Sequence, residues 1–405
     1  MQHFLSSASQ LSFSSEESFA AALTVRGPFR FPAMRPLIPE PARWVPYLQK
    51  SYEARWFSNF GPAVTDFEKR LTSTFGVGEE VIASANNCTS GIAAALIAFG
   101  VRGDVVVPAF SFAGTACAVS MADCRPVVVD VGADDWVLDP AALEEAFATR
   151  EIKAVVPVVP FGIAYDLGNV LEVCARHGVP VVIDNASGLG SPVAALPERC
   201  VEVYSMHATK PFAVGEGAAI RMAAAMLPQM RHALNFGLDR GVPHGNWGIN
   251  GKMPEVLAAI GLAVLDDYPG ILRMRQAVAQ NYIELLQPFA ALKFPRISGA
   301  GPWHGFPVQF PSSHLVEGFV ADLAARSVDI RRYYRPSLED WPGTTKIRTC
   351  PNARRHADTT ITLPVYSDFS VEEFDVLAAI LREVLNGMAG TIREPRGSSN
   401  ATVPE

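Results

Sequence analysis

Short β-branched runs alternate with Ala- and Leu-rich stretches through the middle of this chain, and that alternation leaves few folds open. The runs cover 104–108, 126–130, 153–159, 180–184, 201–206 and 217–221. Between them, 90–99, 114–121, 140–147 and 169–177 place apolar residues at helical spacing. Strands reading DVVVP and PVVID have no polar face, so helices are expected on both sides of a mainly parallel α/β sheet. A helix over 253–265 closes this pattern; beyond about residue 265 the rhythm changes, with a longer helix from 272 to about 286, then β-like pieces at 305–310 and 358–363 and helices at 315–326 and 371–385. The expected organisation is an arm (1–35) without sustained periodicity, a large domain (36–265), a smaller α+β domain (266–392) and a polar tail (393–405).

Composition narrows the partners. With 405 residues, 49% of them hydrophobic and 19% charged, the chain has apolar side chains enough for a large core. Lys+Arg total 34 against 41 Asp+Glu, a net charge of −7 with no basic block. Neither nucleic acid nor an anionic membrane surface is therefore an expected partner. Clean apolar runs such as 92–101 reach about half the length of a membrane span. The Ser-rich N-terminus has no basic flank before an apolar stretch, so the expected location is the cytoplasm. Six scattered Cys without a C-x-x-C predict neither a disulfide framework nor a metal site.

The segment 201–220, VEVYSMHATKPFAVGEGAAI, carries the most chemistry. A strand-like run ends at Ser205, and Lys210 follows in a loop leading to Gly215 and Gly217. A lysine held in such a turn beside a sheet edge can lose solvation and a proton, which is what reaction with an aldehyde requires. Most lysines are solvated surface charges, and Lys210 alone does not rise above that. Asp184 closes an apolar strand, where α/β sheets bind ligands and where a carboxylate could hold a pyridine nitrogen protonated; it equally suits the cap of a turn. Thr89 and Ser90 open a predicted helix, which fits either a phosphate at the helix start or ordinary N-capping. Phe112, just past a strand, could stack on a flat ring or fill the core.

The order of these pieces, a small polar turn, an aromatic after the next strand, a strand-ending Asp and then Ser-x-His-x-x-Lys, resembles the DegT/DnrJ/EryC1/StrS family of pyridoxal-phosphate-dependent sugar aminotransferases. The resemblance extends from about residue 36 to 385. It implies a fold type I aminotransferase architecture, pyridoxal 5′-phosphate as cofactor, a homodimer with shared active sites, and an amino-acid donor, usually glutamate. It gives Lys210 the internal aldimine and the proton shuttle, Asp184 the pyridine nitrogen, and Phe112 the ring face. Thr89, Ser90 and Ser205 match the phosphate ligands, and Asn250 matches the asparagine that the family extends into the partner subunit's site. His207 matches a family histidine near the lysine loop and equally suits a structural hydrogen bond there.

The string Trp56-Phe57-Ser58-Asn59-Phe60-Gly61-Pro62 is similar to a segment of members acting at C4 of nucleotide-linked 4-keto-6-deoxyhexoses. With His207-Ala208-Thr209-Lys210 and Asn250-Gly251-Lys252-Met253, it resembles the dTDP-4-amino-4,6-dideoxyglucose transaminase type. Three positions depart from the family pattern: Cys88 replaces a Gly, Ser187 stands where Gln or His usually meets the cofactor's phenolic oxygen, and Ala218 replaces a second Gly. Lys210 argues against the dehydratase branch, which has His there. A cyclitol or other keto acceptor, and a non-catalytic cofactor-binding regulator, stay open as alternatives. A nicotinamide fold does not, because Gly188-Leu189-Gly190-Ser191-Pro192-Val193 lacks the third Gly and puts Pro where the helix must run.

Overall fold

Short, largely buried valine-rich segments build the centre of the molecule. A computed structural model describes residues 29–392 apart from Asn246, Ser298 and Ala300. Residues 1–28 of the expected arm and the tail 393–405 lie outside the described residues. Seven strands, β1 (Glu80–Ala85), β2 (Gly103–Pro108), β3 (Cys124–Val129), β4 (Ile152–Val155), β5 (Val181–Asp184), β6 (Cys200–Ser205) and β7 (Ala218–Ala223), form one sheet. Their order is β1-β7-β6-β5-β4-β2-β3, and Thr345–Lys346 pairs beyond β3. β7 is antiparallel to both neighbours and every other pairing is parallel. The carboxyl ends of β1, β2, β5 and β6 therefore open on one edge, where the loops holding Thr89, Phe112, Asp184 and Ser205 meet.

The helix Cys88–Ala98 follows β1 and is buried continuously from Ser90 to Ile97. It lies close on the sheet at Gly91, where a Cβ would sit 2.9 Å from Val203 Cγ1. Any side chain there would lift the helix, and with it the turn that opens into the site. Predicted helices at 114–121, 140–147 and 169–177 correspond to Ala113–Met121, Pro140–Thr149 and Gly168–Arg176.

The two helices expected over 253–265 and 272–286 are one, Glu255–Leu286, running 32 residues through Pro269. Proline removes one backbone donor and usually stops a helix. Here packing overrides it: Tyr268, the residue before the proline, is buried against Phe212 and Phe75, with ring centroids 4.9 and 6.0 Å away. Beyond this helix, strands Phe306–Gln309 and Thr360–Leu363 pair antiparallel, with helices Ser313–Ala325, Pro351–Thr359 and Val371–Gly387 around them. The β-like run expected from 358 starts later because the helix Pro351–Thr359 occupies its first residues. The described part of the arm is anchored here: Phe31 is buried and pairs in parallel with Val328.

Candidate active site

Loops from the carboxyl edge of the sheet enclose a cavity of about 640 Å³. Thr89, Ser90, Phe112, Asp184, Ser187, Ser205, His207 and Lys210, chosen from the sequence, all line it. Asn250 does not. It is exposed on the surface of its own chain, where its Oδ1 accepts a 2.7 Å hydrogen bond from Lys252 Nζ.

Lys210 is held in a turn closed by its own N–H donating to the His207 carbonyl at 2.8 Å. Its Nζ donates to Ser187 Oγ at 3.0 Å, so the shorter side chain at 187 reaches the lysine directly. Burial lowers the Lys210 pKa below the ordinary lysine value, while Cys88 and Asp184 pull it back up. Asp184 is buried, which raises its pKa; the Thr115 hydrogen bond, Lys210 and the Ala186 N–H act against that shift. Thr115 Oγ1 donates to Asp184 Oδ2 at 2.6 Å, and the Ala186 N–H to Oδ1 at 3.2 Å.

Two questions left open by the residues resolve in the geometry. The cap of the helix Cys88–Ala98 is neither Thr89 nor Ser90 but Asn87, whose Oδ1 accepts from the Ser90 N–H at 2.8 Å. The Ser90 amide is therefore engaged, and Ser90 has only its hydroxyl to offer a phosphate. Cys88 is the first residue of that helix and is not among the positive-φ residues, so replacing Gly there costs no backbone strain. Burial and the nearby Asp184 push its thiol well up, although Lys210 lowers it. Ser205 Oγ accepts from the His207 N–H at 3.2 Å, which leaves the Ser205 proton to donate. His207 Nδ1 accepts from the Thr209 N–H at 3.3 Å, so its proton sits on Nε2, 3.7 Å from Glu216 Oε1. That is a structural role inside the lysine loop, on a residue that also faces the cavity.

Phe112 is 68% exposed, a high value for a phenyl ring at the edge of a buried sheet. Its ring lies against Gly114, where a Cβ would come within 3.0 Å of Phe112 Cδ1. Trp56 and Phe57 are half exposed and line no part of the cavity of their own chain. In the same string, Gly61 and Pro62 have a local cause. The buried Glu255 carboxylate accepts from the Ser51 hydroxyl and the Ala63 N–H, each at 2.6 Å, at the start of helix Pro62–Phe75. A Cβ at Gly61 would sit 2.8 Å from Glu255 Cδ.

A model of the DegT/DnrJ/EryC1/StrS aminotransferase family matches residues 42–382. The chain belongs to that family. A dTDP-4-amino-4,6-dideoxy-D-glucose transaminase of Shigella dysenteriae is 29% identical over 86% of this chain and 98% of its own length. One of the same name from Escherichia coli is 26% identical over 84% of this chain and 95% of its own. The crystal structure of DesI in the presence of its TDP-sugar product has a TM-score of 0.78 and 28% identity, and the match covers 90% of this chain and 96% of that one.

This aminotransferase is pyridoxal-phosphate-dependent, and its cavity fits the cofactor on three counts. A buried carboxylate and a partly buried amine face the same space. Gly114 leaves room for an exposed phenyl face. Ser205 and Thr89 bring hydroxyls to the same cavity.

The opposite wall of the cavity went unread in the sequence. His304, Arg331, Tyr333 and Tyr334 come from the C-terminal part of the chain, and Phe161 joins them. His304 is buried and its Nε2 has no hydrogen-bond partner among the described residues. Burial, then the charge of Lys210, takes its pKa well below the ordinary histidine value, so its ring is neutral. Its backbone is clamped from both sides: the His304 N–H donates to the Phe161 carbonyl at 2.8 Å, and Arg275 Nη2 donates to the His304 carbonyl at 3.3 Å. The run Arg331-Arg332-Tyr333-Tyr334-Arg335 was a visible signal, dense in groups that bind anions and rings. Among the described residues, no three or more His, Cys, Asp or Glu are grouped to hold a metal, and no helix is long and apolar enough to cross a membrane.

Proposed function

We propose that this sugar aminotransferase moves an amino group from an amino acid, glutamate in the first instance, to C4 of a nucleotide-linked 4-keto-6-deoxyhexose. The observation that carries the reading is the pairing of Lys210 and Asp184 in one cavity, with burial lowering the lysine pKa toward a reactive free amine. Similarity to the Shigella and Escherichia transaminases and to DesI supports the C4 position and the thymidine nucleotide.

Pyridoxal phosphate, when bound, supplies an electron sink that stabilises negative charge on the carbon bearing the nitrogen. The chain does the rest. Lys210 would hold the cofactor through its aldehyde and, once released by the incoming amine, would carry the proton between the cofactor and the substrate carbon. Asp184 would accept from the ring N–H, Phe112 would cover one ring face, and Ser187, which accepts from Lys210 Nζ, would hold it in line. Thr89, Ser90 and Ser205 would bind the phosphate through their hydroxyls. Arg331 offers the cavity a guanidinium for the anionic substrates, which a chain of net charge −7 does not attract as a whole.

The working unit we propose is a cytoplasmic homodimer in which Asn250 completes the partner subunit's phosphate site. Its exposed position, outside the cavity of its own chain, supports this. Mixing Lys210→Ala with Asn250→Ala tests it. A hybrid dimer has one site carrying both defects and one carrying neither, so activity should return on mixing; none returning would sink the shared site.

The visible spectrum of the purified protein tests the cofactor role of Lys210. A band from lysine-bound cofactor is expected in the wild type and absent from Lys210→Ala; a band that survives the substitution would reassign the lysine. Assays with glutamate and either nucleotide-4-ketosugars or cyclitol ketones, read as 2-oxoglutarate released, decide the acceptor.

A further inference from the structure

Behind Asp184 lies a short hydrogen-bond chain that none of the roles above uses. Ser111 Oγ is 2.8 Å from Thr115 Oγ1, which is 2.6 Å from Asp184 Oδ2, and all three residues are buried. An ionised carboxylate only accepts. The single Thr115 proton therefore goes to Asp184, and the contact between the hydroxyls must use the proton of Ser111. If Asp184 held a proton, every bond would reverse: Asp184 to Thr115, Thr115 to Ser111, and Ser111 to the Phe112 carbonyl 3.2 Å from its Oγ. Both arrangements leave each group satisfied.

We propose that Thr115, backed by Ser111, is a positioning residue for the cofactor, ordering the Asp184 carboxylate and favouring the ionised form that the ring nitrogen needs. The inference rests on the pyridoxal-phosphate reading of the cavity. Physically, a donor aimed at the charged form of a carboxylate favours ionisation, and burial opposes it. The other groups facing Asp184 are Lys210, the Cys88 thiol at 4.0 Å and the Tyr334 phenol. Of the two near hydrogen bonds to Asp184, the one from Thr115 is the shorter, 2.6 Å against 3.2 Å from the Ala186 N–H.

The test is titration of the apo-protein with pyridoxal phosphate and with its 1-deaza analogue, in which carbon replaces the ring nitrogen. Thr115→Val should weaken pyridoxal phosphate binding about tenfold, the loss expected for a hydrogen bond to a charged group, and leave the analogue unaffected. Thr115→Ser should restore wild-type binding, and Ser111→Ala should give a smaller loss, again confined to the ligand with the nitrogen. Equal losses for both ligands, or failure of the serine variant to rescue, would show a packing role and overturn the proposal. Should Thr115→Val fail to fold, the ratio between the two ligands in Ser111→Ala decides the same point. If the wild type binds neither aldehyde, the cofactor reading itself fails, an outcome distinct from failure of the relay.

Discussion

The two walls of the cavity are built differently. One comes from loops at the carboxyl edge of the sheet, with Thr89, Phe112, Asp184, Ser187, Ser205 and Lys210 each within a few residues of a strand end or a helix start. The other comes from His304, Arg331, Tyr333 and Tyr334, in segments between the elements of the C-terminal part. The first wall carries the groups proposed for the cofactor, and the second carries a neutral imidazole, a guanidinium and phenols suited to a variable, polar substrate. Under the proposed function, the groups at the strand ends would carry the cofactor chemistry and the C-terminal segments the choice of substrate, since loop side chains change at small cost to the core.

Substitutions can break this division. On the first wall, Lys210→Ala should lower turnover by roughly 10²–10⁴-fold, the range for removing a positioned proton carrier. Steady-state assays check this, and a loss of less than about tenfold would move the proton transfer elsewhere. Next in size, Asp184→Asn should weaken cofactor binding by about ten- to a hundredfold, since a hydrogen bond to a charge is lost, as read by titration of the apo-protein. On the second wall, Arg331→Ala should raise KM for the anionic substrates by about tenfold and leave the cofactor dissociation constant unchanged. A fall in cofactor affinity would show that the walls are not separate in function.

The smallest effect concerns stability. His304 is kept neutral in the fold, and its pKa lies well below the ordinary value because it is buried. As pH falls through about 6.5, the unfolded chain gains a proton that the folded chain does not, so stability is full above that pH and declines below it, by about 1.4 kcal/mol per pH unit for one such group. His356, also lowered mainly by burial, acts in the same direction. Denaturant melts of the wild type and His304→Gln between pH 7.5 and 5.5 should show a shallower decline in the variant. Equal slopes would mean that His304 takes up a proton in the folded state.

The first wall was legible because its residues sit at fixed offsets from strands whose apolar runs are visible one at a time. Asp184 closes PVVID, and Lys210 follows Ser205 by five residues, so local pattern and resemblance agreed. The other wall lacked such anchors. His304 is one residue between Trp303 and Gly305, and only the clamp on its backbone by Phe161 and Arg275 turns it into the cavity. The long helix misread as two shows the same limit, since Pro269 is a local stop signal that the packing of Tyr268 outweighs.

Periodicity gave the α/β class, and local motifs with the family resemblance they carry gave the family and eight residues of one cavity, because each depends on neighbours close in the chain. Tertiary structure alone decided that Ser187 reaches Lys210, that Asn250 stands apart from its own cavity, and that a second wall closes over the first. Those facts depend on contacts between segments far apart in sequence. Such contacts are set by how helices and strands fill space together, and no single stretch of residues carries that information.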